Sequence, residues 1–291
     1  MKYSLKKNKF GFFQIKPTPT SLELDKFYKK FFYTKNYKKL NNSALKEQLK
    51  EKNFYDYKWK KIYENFKFFK KNLKKKKVLD IGCGWGQCIL YLKKKGLDCY
   101  GLDSADDAIE YCKKKKLKAE ISNLDKLDVF GNIKFDFVIM NNVLEHLRDP
   151  VSIIKKIKKI LKKNGILFIE VPNDFNDFQE TGRLANKIKK QWWVSAPAHL
   201  NYFSHDTLTN FLNKNKYIVK KRDSSFPFEI FLLFGDNYVS DRSLGKKCHK
   251  KRINFEQNFL KTKNEKILDK FYEKLAEINL GRTAIIYAKN K

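Results

Sequence analysis

Two hydrophobic rhythms alternate along residues 77–172. Short apolar runs at Val78–Ile81, Cys99–Leu102, Lys118–Ile121, Phe135–Met140 and Ile166–Val171 read as buried strands. Between them, Gln87–Lys95, Ala105–Lys115 and Val151–Lys162 carry apolar residues at helical spacing, the last at Val151, Ile154, Ile157, Ile160 and Leu161. Asn164-Gly165 reads as the stop of that helix, and Pro172 closes the strand after it. Strands alternating with helices predict an α/β fold with a parallel, doubly wound sheet. In such a sheet a ligand sits at the carboxyl ends of the strands.

The flanks follow other patterns. Before the core, Pro17-Thr18-Pro19 breaks structure, and Thr20 or Ser21 caps a helix reaching about Tyr33, with Phe27, Tyr28, Phe31 and Phe32 at helical spacing. A second amphipathic helix is expected from Ala44 to Phe69, both helices packing on the core. After Pro172, Thr207–Leu212 reads as a helix capped by Ser204 or Asp206, and Tyr217–Lys221 as a strand. An apolar piece at Phe228–Phe234, a turn at Gly235–Tyr238 and two helices over Asn254–Asn279 read as an insertion before a last strand, Thr283–Ala288. The expected organisation is an N-terminal helical cap segment (1–70), a central core (71–222), a helical insertion capping the substrate side (223–281) and the last core strand (282–291).

Composition narrows the class. A chain of 291 residues with 42% hydrophobic residues buries a core without covalent staples. Its five cysteines (Cys83, Cys88, Cys99, Cys112, Cys248) are odd in number and fall mostly in core elements, so reduced, buried thiols are expected. Cys83-x4-Cys88 has no second pair at zinc spacing, and no metal is expected. No window approaches the ~18 apolar residues that span a bilayer, and no signal peptide follows the Lys-rich start. A cytoplasmic enzyme is the default. The net charge of +32 suggests nucleic acid, but arginine, the favoured bidentate phosphate ligand, stands at only six positions. Lysine is spread over nearly every predicted helix surface. A solvated face therefore explains the charge better than a nucleic-acid patch. Such a field still attracts anionic substrates or an anionic membrane surface.

The chemistry gathers at Val78-Leu79-Asp80-Ile81-Gly82-Cys83-Gly84-Trp85-Gly86, where a strand enters a glycine turn before a helix. The spacing is G-x-G-x-G, one residue shorter than the dinucleotide fingerprint, which disfavours NAD and FAD. Asp80, a carboxylate inside an apolar strand, needs loop amides or a cationic ligand group as partners. Asp103, at the end of the second strand, stands where an acid accepts hydrogen bonds from ribose hydroxyls.

With these go Phe135-Asp136-Phe137-Val138-Ile139-Met140-Asn141-Asn142-Val143-Leu144-Glu145-His146-Leu147-Arg148-Asp149-Pro150 and Leu161-Lys162-Lys163-Asn164-Gly165-Ile166-Leu167-Phe168-Ile169-Glu170-Val171-Pro172-Asn173. Over residues 77–222 the chain resembles the class I S-adenosylmethionine-dependent methyltransferases, in wording the small-molecule branch of ubiquinone and sugar methyltransferases. The resemblance implies a Rossmann-like seven-stranded sheet whose last strand is antiparallel, with S-adenosyl-L-methionine as cofactor. It implies that Asp80, Gly82, Gly84 and Gly86 surround the methionine part of the cofactor and that Asp103 binds its ribose. Asn123 stands where the family often has an acid near the adenine, and Asn141 lines the sulfonium end.

Methyl transfer to a hydroxyl needs a base, and histidine is the first place to look. His146, with Glu145, follows the fourth strand near the expected methyl position. His199 lies in a loop that in the resembling branch faces the acceptor. His205 reads as a helix-start residue and His249 as solvated, while Trp192 and Trp193 suit either an acceptor wall or core packing. The expected acceptor is a small molecule, on the analogy of the flanks a sugar or nucleotide-sugar for surface polysaccharide biosynthesis. A quinone or lipid-precursor O-methyltransferase and an RNA methyltransferase are the alternatives. The Asn141-Asn142-Val143-Leu144 stretch lacks an Asn-Pro-Pro-Tyr-type amino-methylation motif, which counts against RNA.

Overall fold

The computed structural model describes residues 3–31, 45–122 and 126–291. The side chains of Tyr28 and Phe31, and residues Phe32, Tyr33, Ala44 and Asn123, for which expectations were stated above, lie outside the description.

Seven strands form the central sheet: β3 (Lys77–Ile81), β4 (Asp98–Asp103), β5 (Lys118–Ile121), β6 (Phe135–Asn141), β7 (Leu161–Pro172), β9 (Tyr217–Ser224) and β10 (Thr283–Asn290). Their order is β5-β4-β3-β6-β7-β10-β9. β3 pairs parallel with β4 and β6, β4 with β5, and β6 with β7. β10 runs antiparallel to both β7 and β9, as the expected topology requires. The helices on the sheet are α2 (Lys52–Phe69), α3 (Gln87–Lys94) and α4 (Asp106–Lys114) on one face, with α5 (Pro150–Ile160) and α7 (His205–Lys214) on the other.

Strand periodicity explains the two cores. Leu79, Val138, Met140, Leu167, Ile169 and Ile286 point to the α5/α7 face, while Val78, Phe137, Ile139, Ile166, Phe168 and Tyr287 point to the α2/α3 face. Both faces are apolar, as a covered parallel sheet demands. By the same alternation Asp80, Asn141 and Glu170, at the carboxyl ends, belong to the α2/α3 face. The fully buried Phe66 of α2 stacks on Phe137 at 4.0 Å between ring centroids, 17° apart, and anchors that helix to the sheet.

Several expected boundaries move. The α5 helix, begun by Pro150 and capped by Asp149 accepting the Ser152 amide, stops at Ile160 rather than at Asn164-Gly165. Leu161 is already extended and pairs with Phe135. Asn164, at φ +62°, lies where the β6–β7 register shifts, so it serves a strand irregularity instead of a helix stop. The insertion holds a short helix α8 (Ile230–Leu233), then α9 (Arg242–Lys261) and α10 (Glu265–Glu277), so its two long helices begin twelve residues earlier than the pattern suggested. Asp241 caps α9 by accepting the Ser243 and Leu244 amides. These helices pack through Cys248, Leu268, Tyr272 and Leu275 onto Tyr57 of α2.

The N-terminal segment holds helix α1 (Ser21–Phe31), opened by Thr20 exchanging hydrogen bonds with Glu23. It also holds a hairpin that hydrophobic patterning did not reveal: β1 (Ser4–Lys7) and β2 (Phe13–Lys16) pair with β8 (Asn201–Tyr202) in a small antiparallel sheet. Helix α6 (Asp177–Ala185), opened by a capping box from Asn176 and Gln179, completes the elements between β7 and β8. All five cysteines are buried and unbridged. Among the described residues no helix is long and apolar enough to cross a membrane.

Candidate active site

The glycine turn follows β3 at the sheet's carboxyl edge. Gly82, Gly84 and Gly86 have φ of +75°, +49° and +66°, a left-handed region that costs other residues energy. Their surroundings differ. A Cβ on Gly82 would stand 2.4 Å from Val143 Cγ2, and one on Gly86 would stand 2.7 Å from Cys112 Sγ. A Cβ on Gly84 would meet nothing within 4 Å. Gly82 and Gly86 are thus fixed by packing, while Gly84 faces open space.

Asp103 ties the turn to β4. Its Oδ2 accepts the Gly84 amide at 2.8 Å and its Oδ1 the Ala105 amide at 2.9 Å. A carboxylate has about four acceptor sites, so two remain for ligand hydroxyls. Asp80 is buried, and of the two partners expected for it, loop amides do not reach Oδ1, which has no hydrogen-bond partner. Burial, and then the charge of Asp103, push its carboxyl up to about 8. An orphaned buried carboxylate beside an open glycine fits a ligand that brings a cationic or N–H group and, at Asp103, vicinal hydroxyls. An α-amino acid joined to a ribonucleoside has both. Asn141, half-buried at the end of β6, accepts at Oδ1 from the Asn142 side chain at 3.0 Å. Asn142, at φ +53°, donates its amide to the Glu170 carbonyl at 2.8 Å.

A second group comes together from two distant segments. Glu145 and His146 lie in a 3-10 turn after β6, and His199 precedes β8. The Leu200 amide donates to the Glu145 carbonyl at 2.8 Å, and the Asn201 side-chain amide donates to the Leu147 carbonyl at 2.7 Å. The N-terminal hairpin secures this junction through Gln14, which donates to Asn201 Oδ1 at 2.7 Å. The His146 and His199 rings meet edge-on with centroids 4.9 Å apart. His146 Nδ1 lies 2.7 Å from the Ala198 carbonyl, which requires a proton on Nδ1 and leaves Nε2 as the basic nitrogen. Glu145 Oε1 stands 3.7 Å from that Nε2.

Burial sets the protonation of this group. It pushes Glu145 up to about 8, with smaller contributions from Asp174 and Glu170. It lowers His146, and it lowers His199 to about 4, helped there by His146 and Arg282. Two neutral imidazoles beside a protonated carboxyl are the stable state near neutral pH. Glu145, His146 and His199 each place a donor atom within 4.8 Å of the others, and one carboxylate with two imidazoles suits a divalent cation. The cysteine spacing that argued against a metal says nothing about this trio.

The remaining sequence candidates fall elsewhere. His205 is fully buried at the first position of α7, inside the Ser204–Thr207 capping box, in keeping with a helix-start role. His249 is not simply solvated: its Nε2 lies 3.1 Å from Glu51 Oε2, joining α9 to the start of α2. Trp193 is buried and packs edge-on against Phe175 and Trp192. Sequence reasoning missed the ion pairs behind the site. Lys58 of α2 pairs with buried Glu170 at 3.4 Å, and Arg282 pairs with buried Glu229. Asp174, buried with an orphaned Oδ2, is pushed up to about 7 by burial. Glu170 was findable as the lone charge in the apolar run Ile166–Val171.

A family model described as a methyltransferase domain matches residues 40–218. A ubiquinone biosynthesis O-methyltransferase of Pelagibacter ubique (strain HTCC1062) is 36% identical over 107 residues, 35% of this chain and 45% of that protein. One of the same name from Histophilus somni (strain 2336) is 33% identical over 111 residues, 35% of this chain and 47% of that protein. The chain thus spans about half the length of these curated relatives. Among solved structures, the plantazolicin methyltransferase BamL, in complex with a triazolic desmethylPZN analog and SAH, aligns over 91% of this chain and 94% of its own. Its TM-score is 0.55 at 16% identity, a likeness of fold. In sequence and in strand order, the chain belongs to the methyltransferase domain family, within the class I S-adenosylmethionine-dependent methyltransferases.

Proposed function

We propose that the chain is an S-adenosylmethionine-dependent O-methyltransferase acting on a small-molecule acceptor of the quinone-precursor or lipid-precursor kind. The observation that carries the cofactor reading is the orphaned, buried Asp80 at the foot of a turn whose Gly84 opens onto free space. In this reading Asp80 takes the ammonium of the methionine part, and the two spare acceptor sites of Asp103 take the ribose hydroxyls. Asn141 lies toward the sulfonium end. Asn123 would serve the adenine. Bound S-adenosylmethionine supplies a methyl group already activated on a sulfonium. The chain then needs only to align the acceptor, exclude water and remove a proton.

His146 Nε2 is the group suited to take the acceptor's hydroxyl proton, because the Ala198 carbonyl holds the other nitrogen protonated. His199 stands against it as the acceptor contact. The insertion helices α9 and α10, packed on α2, form the cap. The oxygen acceptor and the quinone-like class rest on the names of the relatives. The sugar or nucleotide-sugar acceptor suggested by the flanks has no comparable support.

The test is transfer of a labelled methyl group from S-adenosylmethionine to a panel of catechols and quinone precursors, nucleotide sugars and bulk RNA. Label in the catechol or quinone-precursor arm is expected. Label only in the sugar or RNA arm would overturn the acceptor reading.

A further inference from the structure

A cavity of about 170 Å³ extends from Asn142, at the end of β6, to Arg252 on the insertion helix α9. Its wall carries four cations, Lys58, Lys61, Arg252 and Arg282, against three carboxylates, Glu170, Asp223 and Glu256. Most of these charges are already satisfied. Lys58 pairs with Glu170 at 3.4 Å, Lys61 with Asp223 at 2.8 Å, and Arg282 with Glu229. Glu256, buried one turn beyond Arg252, accepts the Tyr272 hydroxyl at 2.7 Å.

Arg252 is the exception. Among the described residues it is in no ion pair, and its Nε is buried without a hydrogen-bond partner. Its guanidinium carbon lies 4.6 Å from the Phe54 ring centroid, a cation–π contact that uses none of its hydrogen-bond donors. A buried donor without an acceptor is costly, and a fixed guanidinium fork matches a carboxylate or phosphate bidentately. Phe54, Tyr57 and Tyr272 line the same cavity and give it an aromatic wall.

We propose that this cavity seats an anionic substituent of the methyl acceptor, a carboxylate or phosphate on a ring-sized apolar body, with Arg252 as its anchor. The inference rests on the methyltransferase reading, since Asn142, beside Asn141, places the inner end of the cavity at the expected transfer site. It also gives the insertion a task. A helix outside the common core supplies the selecting charge, and on the same helix Glu256, whose carboxylate accepts the Tyr272 hydroxyl, lines the same cavity. The carboxylate of the cofactor is the other possible source of the same anion chemistry, and the experiment separates the two.

The probes are benzoate and its neutral analogue benzamide, titrated calorimetrically into protein saturated with S-adenosylhomocysteine. The wild type is expected to bind benzoate more tightly than benzamide. R252M should weaken benzoate roughly tenfold to a hundredfold, the usual weight of a charge-assisted hydrogen-bond pair, and leave benzamide and S-adenosylhomocysteine unchanged. E256Q should tighten benzoate by removing the competing carboxylate, a gain that damaged folding cannot imitate. Equal binding of the two probes, no saturable benzoate binding at millimolar concentration, or a preference that survives R252M would overturn the proposal. So would R252M weakening S-adenosylhomocysteine in place of benzoate, which would assign the anion to the cofactor. If S-adenosylhomocysteine itself does not bind, the methyltransferase reading fails separately, and the same titrations without it still decide whether Arg252 holds an anion.

Discussion

Replacing Gly82 and Gly84 singly by alanine should separate what the turn does for folding from what it does for binding. At Gly82 the added methyl would lie 2.4 Å from Val143 Cγ2, on a backbone with φ of +75°. The left-handed torsion costs a residue with Cβ about 1–2 kcal/mol, and overpacking a filled core costs about 1–3 kcal/mol. G82A should therefore lose ~2–5 kcal/mol, or roughly 5–15 °C in unfolding midpoint for a chain of this size. At Gly84 φ is +49° and no atom lies within 4 Å, so only the torsional cost applies, about 1 kcal/mol. The methyl would nevertheless occupy the space assigned to the ligand. The assay is urea and thermal unfolding with and without S-adenosylhomocysteine. A ligand at a hundred times its Kd stabilises by about 2.7 kcal/mol. G84A should lose that increment while staying near wild type without ligand. A G84A variant that keeps the full ligand increment would refute the open side of Gly84 as the binding side. A G82A variant as stable as wild type would refute the steric argument.

Three further substitutions probe the core and the site. F66A removes a fully buried ring stacked on Phe137 and should cost ~3–5 kcal/mol, measured by urea unfolding, because the cavity left between α2 and the sheet cannot collapse freely. Asp80 titrates near 8 when folded against 3.8 as a free side chain, so the unfolded chain releases its proton first. Its contribution thus lowers stability progressively from pH 4 to pH 8 and not beyond. D80N should flatten that slope, gain on the order of 1–3 kcal/mol at pH 8, and weaken cofactor binding; a slope unchanged by D80N would contradict the assignment. H146A should slow methyl transfer roughly 10²–10⁴-fold with cofactor affinity retained. Because burial lowers the His146 pKa, wild-type activity should stay level down to below pH 6.5 and fall only as the imidazole gains its proton; a loss beginning above pH 7 would exclude this base.

The core could be read in the sequence because its signals are local. A strand, the G-x-G-x-G turn and a helix occupy consecutive residues 77–94, and Asp103 ends the next strand, where its carboxylate reaches back to the Gly84 amide. The hairpin of Ser4–Lys16 gave no such signal: each strand has four residues, and the partner Asn201–Tyr202 is far along the chain. The start of α9 was hidden because lysines dilute its apolar stripe to Leu244, Cys248 and Ile253 over its first twelve positions. His146 and His199 could each be picked as candidates, but their edge-on contact depends on hydrogen bonds from Leu200 and Asn201 to the Glu145–Leu147 turn. The Lys58–Glu170 pair is likewise a product of α2 crossing the sheet, and no spacing rule reaches across 112 residues.

The most direct measurement is a calorimetric titration of the protein with S-adenosylmethionine and, separately, with NAD, repeated on D103A. One S-adenosylmethionine per chain is predicted, with no NAD binding and clearly weakened cofactor binding in D103A, because that variant removes both the ribose acceptor and the clamp on the Gly84 amide. NAD binding in preference, or no binding of S-adenosylmethionine to the intact chain, would contradict the cofactor assignment on which the proposed activity rests.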